Sequence, residues 1–167
     1  TNAMEWVLGL YLLDREVELQ RTYTWLDSDF VSTFSVQRQA LYGEFGVPLN
    51  GFWKLSIGAR LEQHEADYAD NAGVSFTPSD DLFGGRIRLE RSYQSGTLAY
   101  ASFTQGYKSG GFNTSGTLDA DLRLFDPETL WNVEVGYKAT VLNDAGQLRV
   151  ALFHMARSDV QIATSIV

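Results

Sequence analysis

The sequence predicts an all-β protein, built as an antiparallel up-and-down meander of about seven strands. Apolar and polar residues alternate along seven stretches, and no comparable stretch carries an apolar stripe with the 3.6-residue period of a helix. The three prolines fall between these stretches, where a missing N–H breaks no ladder bond. The predicted strands span residues 5–18, 33–47, 52–67, 82–93, 97–107, 129–141 and 147–161.

The alternation separates an apolar face from an ionic face. In the third predicted strand, Trp53 and Ile57 share one side, and Arg60 and Glu62 share the other. The last strand, 147–161, is less clear because apolar and charged residues share one of its faces. Each unpaired charge buried in an apolar core costs several kcal/mol, so the ionic face must meet water or a polar partner. That face comprises Arg60, Glu62, Arg86, Arg88, Glu90, Glu134 and Lys138.

Two architectures fit this facing, and the connections favour one of them. In a membrane barrel the ionic face lines the lumen and the apolar face meets lipid, whereas in a soluble sheet the ionic face is solvated and the apolar face forms the core. Short turns, whose glycines can take a positive φ, alternate here with long connections. Outer-membrane barrels follow this plan, while soluble sandwiches distribute loop length with less regard to the end of the sheet. The short turns are 48–51, 94–96 and 143–146, and the long connections are 19–32, 68–81 and 108–128.

Strand length and aromatic placement agree with a membrane barrel. Several predicted strands exceed the usual ~3–10 residues of globular strands, and a tilted strand needs ~9–11 residues to cross the hydrocarbon of a bilayer. Aromatic side chains, half apolar and half polar, suit the headgroup level near strand ends. Aromatic residues also favour strands in general, so this placement alone leaves both interpretations open. The residues concerned are Trp6, Phe45, Phe52, Trp53, Tyr93, Tyr107 and Trp131.

Composition argues against several other classes of protein. With 44% hydrophobic and 20% charged residues the chain is too apolar to be disordered, and no apolar stretch of ~18 residues predicts a membrane-spanning helix. The net charge of -8 argues against a nucleic-acid partner, and the absence of cysteine removes disulfides and thiolate chemistry. His64 and His154 lie far apart, with no carboxylate at ligand spacing. We therefore expect no metal, no cofactor and no enzymatic activity.

Two adjacent segments in the second half of the chain carry a family resemblance. Residues 100–113, YASFTQGYKSGGFN, resemble a hallmark segment of TonB-dependent outer-membrane receptors, in which a strand rises to the cell surface and opens into a glycine-rich loop. Residues 125–138, FDPETLWNVEVGYK, resemble the next descending strand of that family. The resemblance extends in consistent order over nearly the whole chain, through residues 5–11, 55–61, 151–153 and 158–161.

The resemblance implies a barrel of ~22 strands in the lipid of the outer membrane of a Gram-negative bacterium, with a separate N-terminal plug domain in its lumen. Such receptors take up scarce nutrients such as ferric siderophores, cobalamin, haem or sugars, using energy from the inner-membrane TonB complex. Residues 1–4 are interpreted as an expression-tag remnant, and residues 5–167 as a partial barrel domain. Since this stretch carries neither a plug nor an energy-coupling motif, we expect it to be inactive in transport by itself.

The resemblance also marks candidate ligand-binding positions in the glycine-rich loop. Phe112 and Asn113 could bring a ring and an amide to a small-molecule ligand, of unspecified identity, at the barrel mouth. Alternatively, this segment is a loop-entry turn in which two glycines supply unusual backbone angles. Glu134 likewise has two interpretations: a pair with a lumen cation or the plug, or a structural ion pair. The loop positions are Tyr107, Lys108, Gly110, Gly111, Phe112 and Asn113.

Seven strands cannot close so wide a barrel, which leaves unpaired backbone groups on both terminal strands. We therefore expect the isolated piece to associate with other copies edge to edge, or to curl with its apolar face inward into a compact barrel or sandwich. The alternative function is that of a soluble, lipocalin-like barrel of about eight strands, which binds a small molecule in an apolar interior.

Overall fold

Strands dominate the fold of this chain. The computed structural model describes residues 3–22, 24–25, 27–93, 96–113, 122–142 and 145–162. Its strands, in chain order, are β1 (Glu5–Arg21), β2 (Phe30–Pro48), β3 (Trp53–Asp70), β4 (Ser75–Phe76), β5 (Ser79–Ser92), β6 (Leu98–Lys108), β7 (Gly111–Phe112), β8 (Leu124–Phe125), β9 (Glu128–Val141) and β10 (Gly146–Ser158). The described residues include no helix of the length and apolarity that crossing a membrane requires.

Seven long strands lie side by side in one antiparallel sheet, in the order β1-β2-β3-β5-β6-β9-β10. β4 adds to β3, and β7 and β8 form a separate two-stranded ribbon. Each neighbour in the sheet is the next long strand along the chain, which confirms the predicted meander. Within the described residues β1 pairs only with β2, and β10 only with β9. The sheet is therefore open, with its apolar face exposed, and does not adopt the inward curl that was one of the two expectations for the isolated piece.

The first three strands run further than predicted. β1 continues to Arg21, β2 already begins at Phe30 and β3 continues to Asp70. The alternation of the sequence does not reveal these extensions, because the apolar run of the outer face near the short turns does not continue to this end of the sheet. As a result the connection between β1 and β2 is shorter than the predicted 19–32, at residues 22–29.

The connection predicted at 68–81 is mostly strand, so that prediction is wrong. β4 pairs with β3 in the register that β5 follows: Tyr68 lies opposite Phe76, in line with Glu65 opposite Ser79. β4 thus continues β5 along β3, and the two are interrupted where a proline has no N–H to give to the ladder. β3, β4 and β5 therefore form one long hairpin.

A tight turn at 71–74 closes this hairpin. The Asp70 carboxylate accepts hydrogen bonds from the N–H groups of Ala72 and Val74, both at 3.0 Å. Gly73 has a φ of 86°, in the left-handed region that favours glycine. The side chain and the glycine together make a tight turn within the stretch that was predicted as a long connection.

Three short connections lie at the opposite end of the sheet, as predicted, although residues 94–95 and 143–144 of two of them are outside the described residues. In the described residues, glycine does not shape every turn. Gly96 has a φ of 71°. In the first turn, the Asn50 side-chain oxygen accepts hydrogen bonds from the N–H groups of Phe52 and Trp53, at 2.9 and 3.0 Å. In the last, Leu142 takes the positive φ, at 56°. The predicted positive φ at a turn glycine is therefore confirmed at Gly96 and is wrong at Gly51 and Gly146.

Register assigns the residues of the long strands to two faces, because residues directly opposite one another point to the same side. On the outer face a row of apolar side chains crosses five strands without a break: Phe45, Ile57, Ile87, Phe103 and Val133. These side chains are between 41% and 50% exposed. The inner face carries the ionic residues and most of the buried ones.

The apolar part of the outer face ends before the loop end of the sheet. On β1, Leu12 is the last apolar residue of the outer face before Glu16 and Glu18; on β3, Leu61 is followed by Gln63 and Glu65. We call the outer face from the short-turn end up to this level the apolar band, and the strand ends beyond it the polar extension. The outer face is therefore apolar near the short turns and polar near the loop end of the sheet.

Candidate functional site: the ionic inner face

Cross-strand pairing brings the predicted ionic residues to one face. Arg86 lies opposite Gly58, and Arg88 lies opposite Ser102, which pairs on its other side with Glu134. Through such rows the inner face collects these charges from three strands, β3, β5 and β9. Its members from the sequence analysis are Arg60, Glu62, Arg86, Arg88, Glu90, Glu134 and Lys138.

Several of these charges neutralise one another near the short-turn end. Arg88 pairs with Glu90 at 2.7 Å, and Arg86 with Glu44 of β2 at 2.5 Å. Both pairs stay partly exposed, so each contributes modestly to stability. Their effect is to keep a crowded polar surface close to neutral.

Tyr100 organises the next group of charges. Its hydroxyl donates to the Glu134 carboxylate at 2.5 Å. The guanidinium of Arg88 lies 4.6 Å from the centre of its ring, and the ammonium of Lys138 lies 5.5 Å from it. Glu134 therefore binds a tyrosine hydroxyl, a partner that neither sequence interpretation named, and both cations lie against the face of the ring.

Tyr107 joins the ionic network from β6. Its hydroxyl donates to the Glu62 carboxylate and accepts from Arg60 Nε, both at 2.9 Å. Glu62 is only 7% exposed and also accepts from Arg60 Nε at 2.9 Å. The ring passes over Gly84 of β5, where an added Cβ would lie 3.1 Å from Tyr107 Cε1. Tyr107 was predicted as a ligand-binding loop residue, but its hydroxyl is hydrogen-bonded to β3 of the sheet.

A row of three residues, of which the sequence analysis considered only His64, holds the start of the β6–β9 connection. Arg38, His64 and Asp80 lie opposite one another on β2, β3 and β5. Arg38 donates from Nε to His64 Nδ1 at 3.0 Å and from a terminal NH₂ group to Ser109 Oγ at 3.3 Å. Asp80 accepts from the N–H of Gly110 at 3.0 Å. His64 is 3% exposed, and this burial, with the nearby Arg38 guanidinium, lowers its pKa.

Phe112 folds back onto the inner face just after this row. Its ring centre lies 5.4 Å from that of Phe34, 4.9 Å from that of Tyr68 and 5.6 Å from that of Phe76. Such aromatic pairs stabilise by about 0.5–1.5 kcal/mol each beyond their buried area. We call residues 109–112 the strap, since they cross from the end of β6 over the inner face. A contact between Phe112 and a ligand stays a prediction.

The two glycines of the strap serve close packing. Neither has a φ in the left-handed region. A Cβ on Gly110 would lie 2.7 Å from the carbonyl oxygen of Phe125, and one on Gly111 would lie 3.0 Å from the ring of Phe125. The alternative of glycines that supply unusual backbone angles is therefore wrong here; both positions are small because β8 approaches them.

The two other predicted loop residues flank the strap. Lys108 ends β6 opposite Glu128, and Asn113 is exposed while its N–H donates to a backbone carbonyl of the returning segment at 2.7 Å. Glu128 is buried and accepts from Arg157 Nε at 2.6 Å and from the N–H of Gln161 at 3.1 Å. The hydrogen bonds from Arg157 and then from Gln161 lower the pKa of Glu128.

A cavity of ≈ 420 Å³ lies between the strap and the wall. Its ionisable lining residues are Arg15, Arg38 and His64, and Phe34 and Phe125 contribute aromatic surface. In the part of the chain that the structure describes, no three His, Asp or Glu side chains are grouped so as to hold a metal ion. The lining offers charged groups, hydrogen-bonding groups and aromatic rings to a bound molecule.

Comparisons with known proteins identify a family and similar folds among solved structures. The family described as TonB dependent receptor-like, beta-barrel matches residues 6–167. The ferric yersiniabactin uptake receptor FyuA from Yersinia pestis aligns with a TM-score of 0.75 and 21% identity, and the alcaligin outer membrane receptor FauA from Bordetella pertussis with 0.62 and 14%. Each alignment covers 96% of this chain, which spans 27% of the FyuA chain and 31% of the FauA chain.

Proposed function

Because this chain belongs to the TonB-dependent receptor-like β-barrel family, we propose that it forms part of the wall of an outer-membrane barrel that takes up a ferric siderophore. The chain spans less than a third of either solved structure it aligns with. In the complete barrel, β1 and β10 would therefore each pair with a further strand. That pairing would satisfy the backbone groups that both edges leave open in the described sheet.

The observation that carries this proposal is the facing of the sheet. Ile57, Phe103 and Val133 belong to an apolar row that stays exposed, while the opposite face carries partnered ions. In water a continuous apolar surface of this kind is a liability, whereas hydrocarbon is its natural solvent. A soluble lipocalin-like barrel needs the reverse facing, with the apolar row enclosed, so the facing argues against that alternative.

The inner face then lines the lumen. Arg86, Arg88 and Lys138 lie on that face beside carboxylates and tyrosines, and such a surface suits water or the polar surface of a plug domain. We assign the plug and the inner-membrane TonB complex as partners of the complete receptor. The role is binding and transport, not catalysis.

The cargo is proposed from the named specificity of similar structures. FyuA is described as a receptor for ferric yersiniabactin, and FauA as a receptor for alcaligin. A ferric chelate is large and polar, so it needs a wide barrel and cannot cross lipid unaided. We expect it to meet this chain at the loop end, next to the strap.

Single cysteines test the facing, because the chain has none of its own. Phe103→Cys and Ser102→Cys are a matched pair: neighbours on β6 that point to opposite faces. In the full receptor, reconstituted with brominated lipid, a fluorophore at 103 should be quenched several-fold more strongly than one at 102. Equal quenching at the two positions, or stronger quenching at 102, would overturn the membrane assignment.

Growth under iron limitation tests the cargo. Cells that lack the gene for this chain should fail to grow on one or more purified ferric siderophores, and should recover when the gene is restored. Growth on soluble ferrous iron serves as the control and should not change. Undiminished growth of the deletion strain on every ferric siderophore supplied would contradict the proposal.

A further inference from the structure

The row Arg38–His64–Asp80 joins three strands and holds the strap at two consecutive residues. Arg38 bonds to Ser109, and Asp80 bonds to the backbone of Gly110. His64 lies between the two anchors in the register of the sheet and is bonded directly to Arg38. His64 is therefore adjacent to both residues that anchor the strap.

The Arg38–His64 hydrogen bond requires a neutral imidazole. Arg38 Nε is a donor under all ordinary conditions, so His64 Nδ1 must supply a lone pair. A protonated imidazole carries N–H groups on both nitrogens and has no acceptor. Protonation would thus set two cations against each other at a 3.0 Å contact and turn His64 toward carboxylates.

We propose that protonation of His64 is a latch that releases the strap from the inner face. Arg38, repelled by the imidazolium, withdraws from Ser109. Asp80, the register neighbour of His64, pairs with the new cation and gives up the N–H of Gly110. The strap then keeps only its ring contacts through Phe112, and the cavity beneath it opens toward the loop end.

Some charged groups around His64 oppose its protonation and others favour it. Arg38 of β2 opposes protonation, while Glu62 of its own strand and Asp80 of β5 favour it. Arg15 of β1 lines the same cavity, and Tyr107 of β6 reaches the group through Glu62, whereas the strap itself has no ionisable side chain. The docked state holds the pKa of His64 below its ordinary value, because it is buried beside Arg38.

The sign of the pH dependence follows from this shift. When the strap leaves, His64 gains water and its pKa returns toward ~6.5. The released state therefore binds protons more readily, and release is favoured as the pH falls below that value. The latch is closed at pH 8 and opens in mild acid. This regulation concerns access to the inner face and goes beyond the proposed uptake, so its failure would leave the growth and quenching tests unaffected.

A spin label on Asn113→Cys, next to the strap, reads its mobility in the full receptor in detergent. Between pH 8 and pH 5 we expect the mobile fraction of the label to rise several-fold. His64→Asn, whose side-chain oxygen can take the place of Nδ1 as acceptor, should hold the label immobile at both pH values. His154→Gln removes the only other histidine of the chain, on the outer face of β10, and should leave the response intact.

Three results would overturn the latch. One is a native label whose mobility is the same at pH 8 and pH 5. Another is a full response in His64→Asn, and the third is a response lost in His154→Gln. If His64→Asn does not fold, Ser109→Ala removes the hydroxyl that Arg38 holds and leaves the wall untouched. The Ser109→Ala variant should raise the mobile fraction of the label at pH 8 several-fold. Unchanged mobility would show that the Arg38–Ser109 bond does not hold the strap and would overturn the latch.

Discussion

Tyrosine and glycine occupy neighbouring strands at three places on the inner face. In each case the ring comes within 3.1 Å of the position that a Cβ on the glycine would take, and in two of them the hydroxyl reaches a carboxylate. A glycine in a strand interior usually weakens the strand, and the covering ring compensates by shielding the backbone. The pairs are Tyr42 with Gly9, Tyr100 with Gly136, and Tyr107 with Gly84.

Gly136→Ala tests this packing at the level of one methyl group. The added Cβ would overlap the Tyr100 ring, which would have to move and give up Glu134. We expect a loss of about 1–3 kcal/mol, typical of overpacking, in urea unfolding of the full receptor in detergent. Gly106→Ala is the matched control, since a Cβ there meets nothing within 4 Å. Equal losses in both variants would argue against the ring contact.

The contribution of Glu128 to the stability of the fold should depend on pH. Its pKa is lowered by the Arg157 and Gln161 hydrogen bonds, so its stabilising contribution is complete above the unfolded value of ~4.3 and is lost as the pH falls through the lower folded pKa. Native receptor should therefore exceed Glu128→Gln in stability at pH 7, with the difference shrinking in acid. Unfolding curves at pH 7, 5 and 3.5 measure it. A difference that grows on acidification would contradict the assignment.

At the scale of elements, Tyr107 ties β6 to β3 across the strand between them. It can do so because Gly84 leaves β5 without a side chain at the crossing. Tyr107→Phe keeps the ring but removes the hydroxyl from the Glu62 and Arg60 pair, and should cost about 1.5–3 kcal/mol because the lost bonds involve charged groups.

Tyr137→Phe is the control for this measurement, since Tyr137 lies on the outer face of β9 and is 44% exposed. Its unfolding in urea should match the native receptor within about 0.5 kcal/mol. If the Tyr107 and Tyr137 variants behave alike, the hydroxyl at 107 does not connect the two strands.

Sequence periodicity was sufficient for the long strands and for the side on which their charges lie. Trp53 and Ile57 alternate with Arg60 and Glu62 within one strand, and that pattern is local. Periodicity did not predict the part of the β3–β5 hairpin beyond Leu61, because the outer face is polar there and the two faces no longer differ.

The contacts of the inner face could not be predicted in the same way. Arg38 and His64 are 26 residues apart, and Tyr107 and Glu62 are 45 apart. Each contact depends on strand register, which a single sequence does not specify, and a slip of one residue would reverse every face. Once β2, β3 and β5 are paired, the row Arg38–His64–Asp80 follows from inner-face parity alone.

At the scale of the whole molecule, the proposed membrane assignment predicts that the apolar band is the part of the sheet that lies in lipid. Leu61 and Glu65 share the outer face of β3 but lie on either side of its upper limit. A fluorophore on Leu61→Cys should be quenched by brominated lipid tails, and one on Glu65→Cys by a water-soluble quencher instead. The opposite pattern, or equal lipid quenching at both sites, would show that the band does not mark the membrane.

The open edges predict how the isolated chain behaves. Within the described residues, β1 and β10 each keep one side without a strand partner, and such edges pair with other chains. Residues 1–167 alone in buffer should therefore associate through these edges. Light scattering coupled to chromatography measures the mass, and a strict monomer at micromolar concentration would contradict intermolecular pairing.

The polar extension also predicts which part of the chain is accessible at the cell surface. The turn at 71–74 follows Leu61 by about ten residues of β3, which is ~30 Å of strand at ~3.3 Å per residue, or ~20 Å of height at a tilt near 45°. In the proposed orientation its tip projects well above the lipid surface. An approaching antibody or bacteriophage would meet this tip outside the membrane, and a peptide epitope grafted at Ala72 should be detected on intact cells.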